Sequence, residues 1–135
     1  QVNFLMERGG TWPISVISGL VEPYLDIKSP FVLDGLPKHP HEAEWLRDYL
    51  VQNRRTCAGL VITAAQETIQ MRLQLEERAY RPETPEQTQD RIDVYNRNIK
   101  TTLALLEPVM PQVLFVENEV TSVQDTIKLI AERCG

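Results

Sequence analysis

The chain has 135 residues, which suits one domain of ordinary size, and it is 42% hydrophobic, 24% charged and 7% aromatic, as a globular protein should be. A formal net charge of -5, with no basic stretch to neutralise a phosphate backbone, excludes nucleic acid as the main partner. No apolar run approaches the roughly 20 residues of a bilayer-spanning helix, and the first residues carry no signal-peptide pattern, so no membrane partner is expected.

Val2, Phe4, Leu5 and Met6 followed by Gly9-Gly10 read as the tail of a helix with its glycine stop. Thr11-Trp12-Pro13 restarts a helix with Thr11 or Trp12 at the cap. Ile14, Ile17, Leu20, Val21, Tyr24 and Leu25 recur at helical spacing, with Pro23 kinking or tightening the last turn. Phe31-Val32-Leu33-Asp34 predicts a buried parallel strand, and Gly35-Leu36-Pro37-Lys38 comes at its carboxyl end, where open α/β sheets bind ligands. A carboxylate four residues from a cation suits such an edge to handling phosphate. A helix over about 40–52 buries Trp45, Leu46 and Leu50. His39 and His41 precede it as solvated residues, lacking the third ligand of a metal site.

Cys57-Ala58-Gly59-Leu60-Val61-Ile62-Thr63 is too short and too β-branched for a helix and predicts a parallel strand covered on both faces. A helix over 65–78 comes next, carrying Ile69, Met71, Leu73 and Leu75. Thr84 caps the next helix, with Pro85 at its first position and Glu86 and Gln87 in its first turn, and it runs to about Leu106. Val113 to Val116 form the third strand, and Val120 to about Cys134 the closing helix. Strands separated by helices of this length imply βαβ units and a parallel sheet, in one α/β domain over 1–135. Cys57 and Cys134 stand in no metal-ligand spacing and read as two reduced thiols, Cys57 in a core strand, which points to a cytoplasmic-type compartment. A start at Gln1 rather than at methionine reads as part of a longer chain.

Five segments in order resemble the adenylate kinase family of nucleoside monophosphate kinases, over nearly the whole chain but without that family's N-terminal part. Met6-Glu7-Arg8-Gly9-Gly10-Thr11-Trp12-Pro13 is similar to the acceptor-base loop ending in Gly-x-x-x-Pro. Phe31 to Lys38 resembles the Asp-Gly-Phe-Pro-Arg motif, and Glu42-Ala43 the Gln-Ala after it. Met71-Arg72-Leu73 resembles the Arg-Leu that opens the lid. Arg81-Pro82-Glu83-Thr84-Pro85-Glu86 and then Asp90-Arg91-Ile92-Asp93-Val94-Tyr95 resemble the arginine–acid pair and the later Arg-Leu-x-x-Tyr. Val116-Glu117-Asn118, through Val123 and Ile127, resembles the final strand and helix. About eight residues separate Arg72 from Arg81, too few for a zinc-bearing insert. On this likeness residues 1–28 are the acceptor-base loop and helix, and 72–91 the short lid.

The resemblance implies a three-layer parallel sheet of the P-loop kinase type and transfer of the ATP γ-phosphoryl group to a nucleoside monophosphate, with Mg2+. It implies that Lys38 holds the acceptor phosphate and Asp34 orients the water shell of the magnesium rather than ligating it. Arg81 and Arg91 would clamp the transferring group, and Arg72 would stack on the donor base. Gly9 and Trp12 would line the acceptor base, and Glu42 would read its edge.

Several positions depart from the family pattern. No Gly-x-x-x-x-Gly-Lys-Ser/Thr occurs in the chain, so the backbone cradle for the ATP phosphates is missing and this chain is not competent alone. Lys38 puts a point charge where the family has a bidentate arginine. Glu42 replaces a glutamine with a group that only accepts, which suits guanine better than adenine. Glu76 stands at the second place of the lid's Arg-x-x-x-Arg, and the acidic pair after Arg81 is reduced to Glu83. The family's P-loop strand lies between the strands matching 31–34 and 57–63. A missing N-terminal segment or another protein chain would therefore complete the sheet.

Alternatives stand beside these roles. Asp34 could cap the following turn, Glu42 could serve as a helix first-turn charge, Trp12 could be core, and the cations could be surface charges. Three functions remain open: the acceptor and lid side of an active kinase, a degenerate kinase-like module that binds without catalysis, and a structural or protein-interaction scaffold.

Overall fold

A computed structural model describes residues 12–25, 28–73, 84–119 and 122–134. The chain divides into two compact units, Gln1–Thr56 with Thr84–Val109, and Cys57–Glu83 with Met110–Gly135.

In the first unit, helix α1 spans Ile14–Val21. Its N-cap is Pro13, in extended conformation, and not Thr11 or Trp12; the Pro13 carbonyl accepts from Val16 N at 2.9 Å and Ile17 N at 3.2 Å. The proline cannot donate, so it loses nothing by standing where helix N–H groups have no partner. A 3₁₀ turn over Glu22–Tyr24 comes next, so of the two outcomes expected at Pro23 the last turn is tightened.

No strand forms over 31–34, contrary to the sequence expectation. Phe31 to Leu33 are irregular backbone, Asp34 and Gly35 form a bend, and the Val32 side chain is 91% exposed. A strand persists only where a neighbour takes its N–H and C=O groups, and among the described residues none pairs with this segment. The segment is anchored instead by Arg55, whose guanidinium lies 5.9 Å from the Phe31 ring centroid and whose Nη2 reaches the Ser29 carbonyl at 3.4 Å.

Helix α2 spans Pro40–Gln52 and buries Glu42, Ala43, Leu46 and Leu50, an apolar stripe at helical spacing broken by one carboxylate. Trp45 is half-buried rather than buried, because its indole N–H donates to Glu22 Oε1 at 2.8 Å, near the surface. At the far end Arg55 N donates to Leu50 O at 2.8 Å and Arg54 N to Val51 O at 3.1 Å. This is a Schellman cap in which Arg54, at φ 53°, occupies the left-handed position that glycine usually fills.

Helix α3 is described over Gln66–Leu73 and belongs to the second unit. Helix α4, Pro85–Leu106, returns to the first and starts as its sequence predicts. Thr84 Oγ1 accepts from Gln87 N at 3.2 Å while Gln87 Oε1 accepts from Thr84 N at 2.9 Å. It packs on α2. Leu106 and, in the 3₁₀ turn Glu107–Val109, Val109 are buried with Ala43, Leu46 and Leu50, each large side chain contributing about 2 kcal/mol.

In the second unit, strands β1 (Ala58–Thr63) and β2 (Gln112–Glu117) pair in parallel from Ala58↔Gln112 to Thr63↔Glu117. The protein is therefore α/β, mostly helical, with a two-stranded parallel sheet among the described residues. Cys57 falls just before β1 and is half-buried; both cysteines are free. Val61, Met110 and Val116 are buried, but Leu60, Ile62 and Phe115 are exposed. The expectation of a strand covered on both faces thus fails for β1: its apolar chemistry is two-sided, its cover is not. Gly59 faces Met110 so closely that a Cβ there would lie 2.6 Å from the sulfur. Helix α5, Val123–Cys134, packs on β2 and is capped by Ser122, whose Oγ accepts from Asp125 N at 3.1 Å.

Candidate functional site

The turn before α2 gathers Asp34, Lys38 and Glu42. Gly35 has φ 72°, a conformation that costs a residue with a side chain about 1 kcal/mol or more. The Lys38 side chain lies back over it, so that a Cβ on Gly35 would stand 3.4 Å from Lys38 Cε and 3.5 Å from Nζ. Asp34 and Lys38 are both exposed. The turn therefore presents a carboxylate and an ammonium to solvent within one tight corner.

Glu42 holds that corner in place. It is only 5% exposed, and its Oε2 accepts from Lys38 N at 2.6 Å and His39 N at 3.1 Å. A carboxylate in the first turn is favoured by the unpaired N–H groups and positive end of the helix. It also fills the place an external anion would take, so a phosphate approaching this corner would meet the Lys38 ammonium rather than those two amides.

His39 and His41 are half-buried, not solvated, and their rings stack with centroids 5.8 Å apart. Asn98 Nδ2, from α4, lies 3.0 Å from His39 Nδ1. With the Asn98 NH₂ donating, Nδ1 is the acceptor, an arrangement that the neutral Nε2–H tautomer allows. Partial burial holds this imidazole below the ordinary histidine range; the Glu42 carboxylate opposes the effect, and His41 and Lys38 add to it.

The remaining expected site residues divide between the two units. Trp12 and Arg91 are half-buried in the first unit. Arg72 belongs to the second unit, where its Nη2 donates to the Asn118 carbonyl at 2.7 Å. Beside it the Glu119 carboxylate accepts from Ala65 N at 2.6 Å and from the Thr68 hydroxyl, tying the end of β2 to the start of α3. Those two hydrogen bonds, with the Arg72 charge, hold Glu119 below the usual carboxylate range. Gly9 and Arg81 lie outside the described residues. Among the described residues no group of three or more His, Cys, Asp or Glu could hold a metal ion.

No family model, curated protein or solved structure matches this chain.

Two participants escaped the sequence reading. Glu119 is separated from Thr68 by 51 positions and Asn98 from His39 by 59, so no local pattern links either pair. The His39-Pro40-His41-Glu42 run does carry a usable signal. It has a polar cap, proline at the first helical position and an acid three residues after the cap, which is capping-box spacing.

Proposed function

We propose that the chain is the acceptor and lid side of a protein of the nucleoside monophosphate kinase type, and that the Asp34–Lys38 corner receives the phosphate of a nucleoside monophosphate. The observation that carries the reading is the Lys38 side chain laid over a left-handed Gly35 while buried Glu42 fixes the backbone beneath it. Backbone held this way is pre-organised, so less ordering of the turn is needed on binding. The ordered motifs and the parallel pairing of β1 with β2 support the same reading, under which a further segment or chain completes a three-layer sheet.

The residues present fit magnesium in an outer-sphere role only. A magnesium ion keeps several waters and needs one or two carboxylates, and exposed Asp34 is a single carboxylate that can accept from such waters. The ion would supply positive charge near the phosphate oxygens. The ATP phosphates are different: no P-loop occurs in the sequence, so no transfer step is assigned to these residues.

A second reading, a kinase-like module that binds without catalysis, is favoured by a specific observation. Glu42 and Arg72, the residues that would contact the two bases, both make hydrogen bonds to the protein's own backbone. Thermal melts with AMP, GMP, CMP and UMP, alongside a coupled phosphoryl-transfer assay with Mg-ATP, test both. Stabilisation by a monophosphate that is lost in Lys38→Ala supports the acceptor corner, since a ligand of the folded state raises its melting temperature. No stabilisation by any of the four removes it. Turnover by this chain would overturn the claim that it lacks the ATP site.

A further inference from the structure

We propose that His39 is a pH-sensitive latch: its neutral ring ties the Lys38–Glu42 corner to α4 through Asn98, and protonation at Nδ1 undoes that tie. The inference rests on geometry at one ring and holds whatever the corner binds.

His39 is the N-cap of α2, and three neighbours converge on it. Asn98 meets Nδ1 at 3.0 Å from α4, the Glu42 carboxylate takes the His39 main-chain N–H at 3.1 Å, and the His41 ring stacks at 5.8 Å. Nδ1 is the atom that takes up the proton when an Nε2–H imidazole becomes imidazolium. That proton, drawn from solvent, would point at the Asn98 NH₂ and set two donors against each other. The contact between the corner and α4 would be lost.

The charges around the ring decide how a protonated His39 is compensated. Glu42, on α2, attracts the imidazolium, whereas Lys38 and His41 repel it. From α4 comes the neutral Asn98 amide, with Tyr95 three and Arg91 seven residues before it in the sequence. The new cation's nearest source of compensation is thus the Glu42 carboxylate that grips Lys38 N and His39 N. Drawing Glu42 toward the ring weakens that grip and frees the backbone under the Lys38 side chain.

The direction with pH is set by linkage. The folded ring takes up a proton less readily than the unfolded one, whose ordinary value is 6.5. The unfolded state therefore binds more protons as pH falls through that value. His39 contributes stability that is fully present above it and declines below it, down to the folded value.

Long-range proton–nitrogen correlation of the histidine rings, with backbone amide shifts, recorded on the chain between about pH 5 and pH 8, tests the latch. The expected result is an Nε2–H tautomer for His39, titration below the ordinary histidine range, and Lys38 and His39 amide shifts that move with the same midpoint. Asn98→Ala should shift that midpoint upward, and Asn98→Asp further still. An Nδ1–H tautomer, an ordinary midpoint, or a Lys38 amide indifferent to the titration would each overturn the latch. The tautomer and the coupled amide shifts are read on the unaltered chain, so failure of either variant to fold leaves the test intact.

Discussion

Replacing Glu42 with glutamine isolates what its charge contributes, because the side chain keeps its shape and one acceptor oxygen. In the native chain Oε2 carries two bonds, at 2.6 Å from Lys38 N and 3.1 Å from His39 N, in a side chain only 5% exposed. Hydrogen bonds to an ionised acceptor contribute about 1.5–3 kcal/mol each and neutral ones about 0.5–1.5. Neutralising the acceptor should therefore cost about 1 kcal/mol per bond, or about 2 kcal/mol in all. The lost interaction with the helix dipole adds a few tenths. For a chain of this size that lowers Tm by roughly 6–8 °C. Glu42→Ala also leaves both amides without their partner, and should cost about 3 kcal/mol or more. Urea titration followed by circular dichroism measures both. A Glu42→Gln chain within about 0.5 kcal/mol of the native one would show that the carboxylate does not hold the corner. A guanine-over-adenine preference should also relax in this variant if Glu42 reads the base.

Three other positions carry expected outcomes of their own. Thr102 is 2% exposed with a hydroxyl that meets no hydrogen-bond partner among the described residues, so Thr102→Val should stabilise by about 1 kcal/mol in denaturant titration. Arg54 sits at φ 53° in the Schellman cap of α2, and Arg54→Gly should stabilise by about 0.5–1 kcal/mol despite the added freedom of the unfolded chain; a loss would assign its side chain a contact outweighing the strain. Glu119 is held below the usual carboxylate range when folded, so its contribution is present above the unfolded value and lost as pH falls through the folded one. Melting curves of Glu119→Gln should accordingly show a shallower acid limb than the native chain.

Local features were the legible ones in the sequence. Thr84, Pro85 and Gln87 specify the start of α4 within four positions, and the structure has that box closed on both sides. The β2 run likewise carries its own apolar pattern, and its parallel pairing with β1 accords with the helical length between them. The 31–34 segment misled because an apolar run states what a strand would bury but not whether a neighbour exists to pair with it. The same limit applies to β1, where Leu60 and Ile62 have the chemistry of a covered face and are exposed. Within the candidate corner, Asp34, Lys38 and Glu42 stand together because nine consecutive residues contain them. The partners that tune the corner, above all Asn98, come from a helix whose sequence gives no hint of what it meets.

The most direct measurement is calorimetric titration of the chain with a nucleoside monophosphate, set against the same nucleoside without its phosphate. If Lys38 receives the phosphate, the monophosphate binds and the nucleoside binds at least tenfold more weakly. Lys38→Ala should then lose a similar factor, about 1.4 kcal/mol or more. Equal affinity for nucleoside and monophosphate, or an affinity that Lys38→Ala leaves unchanged, would contradict that role.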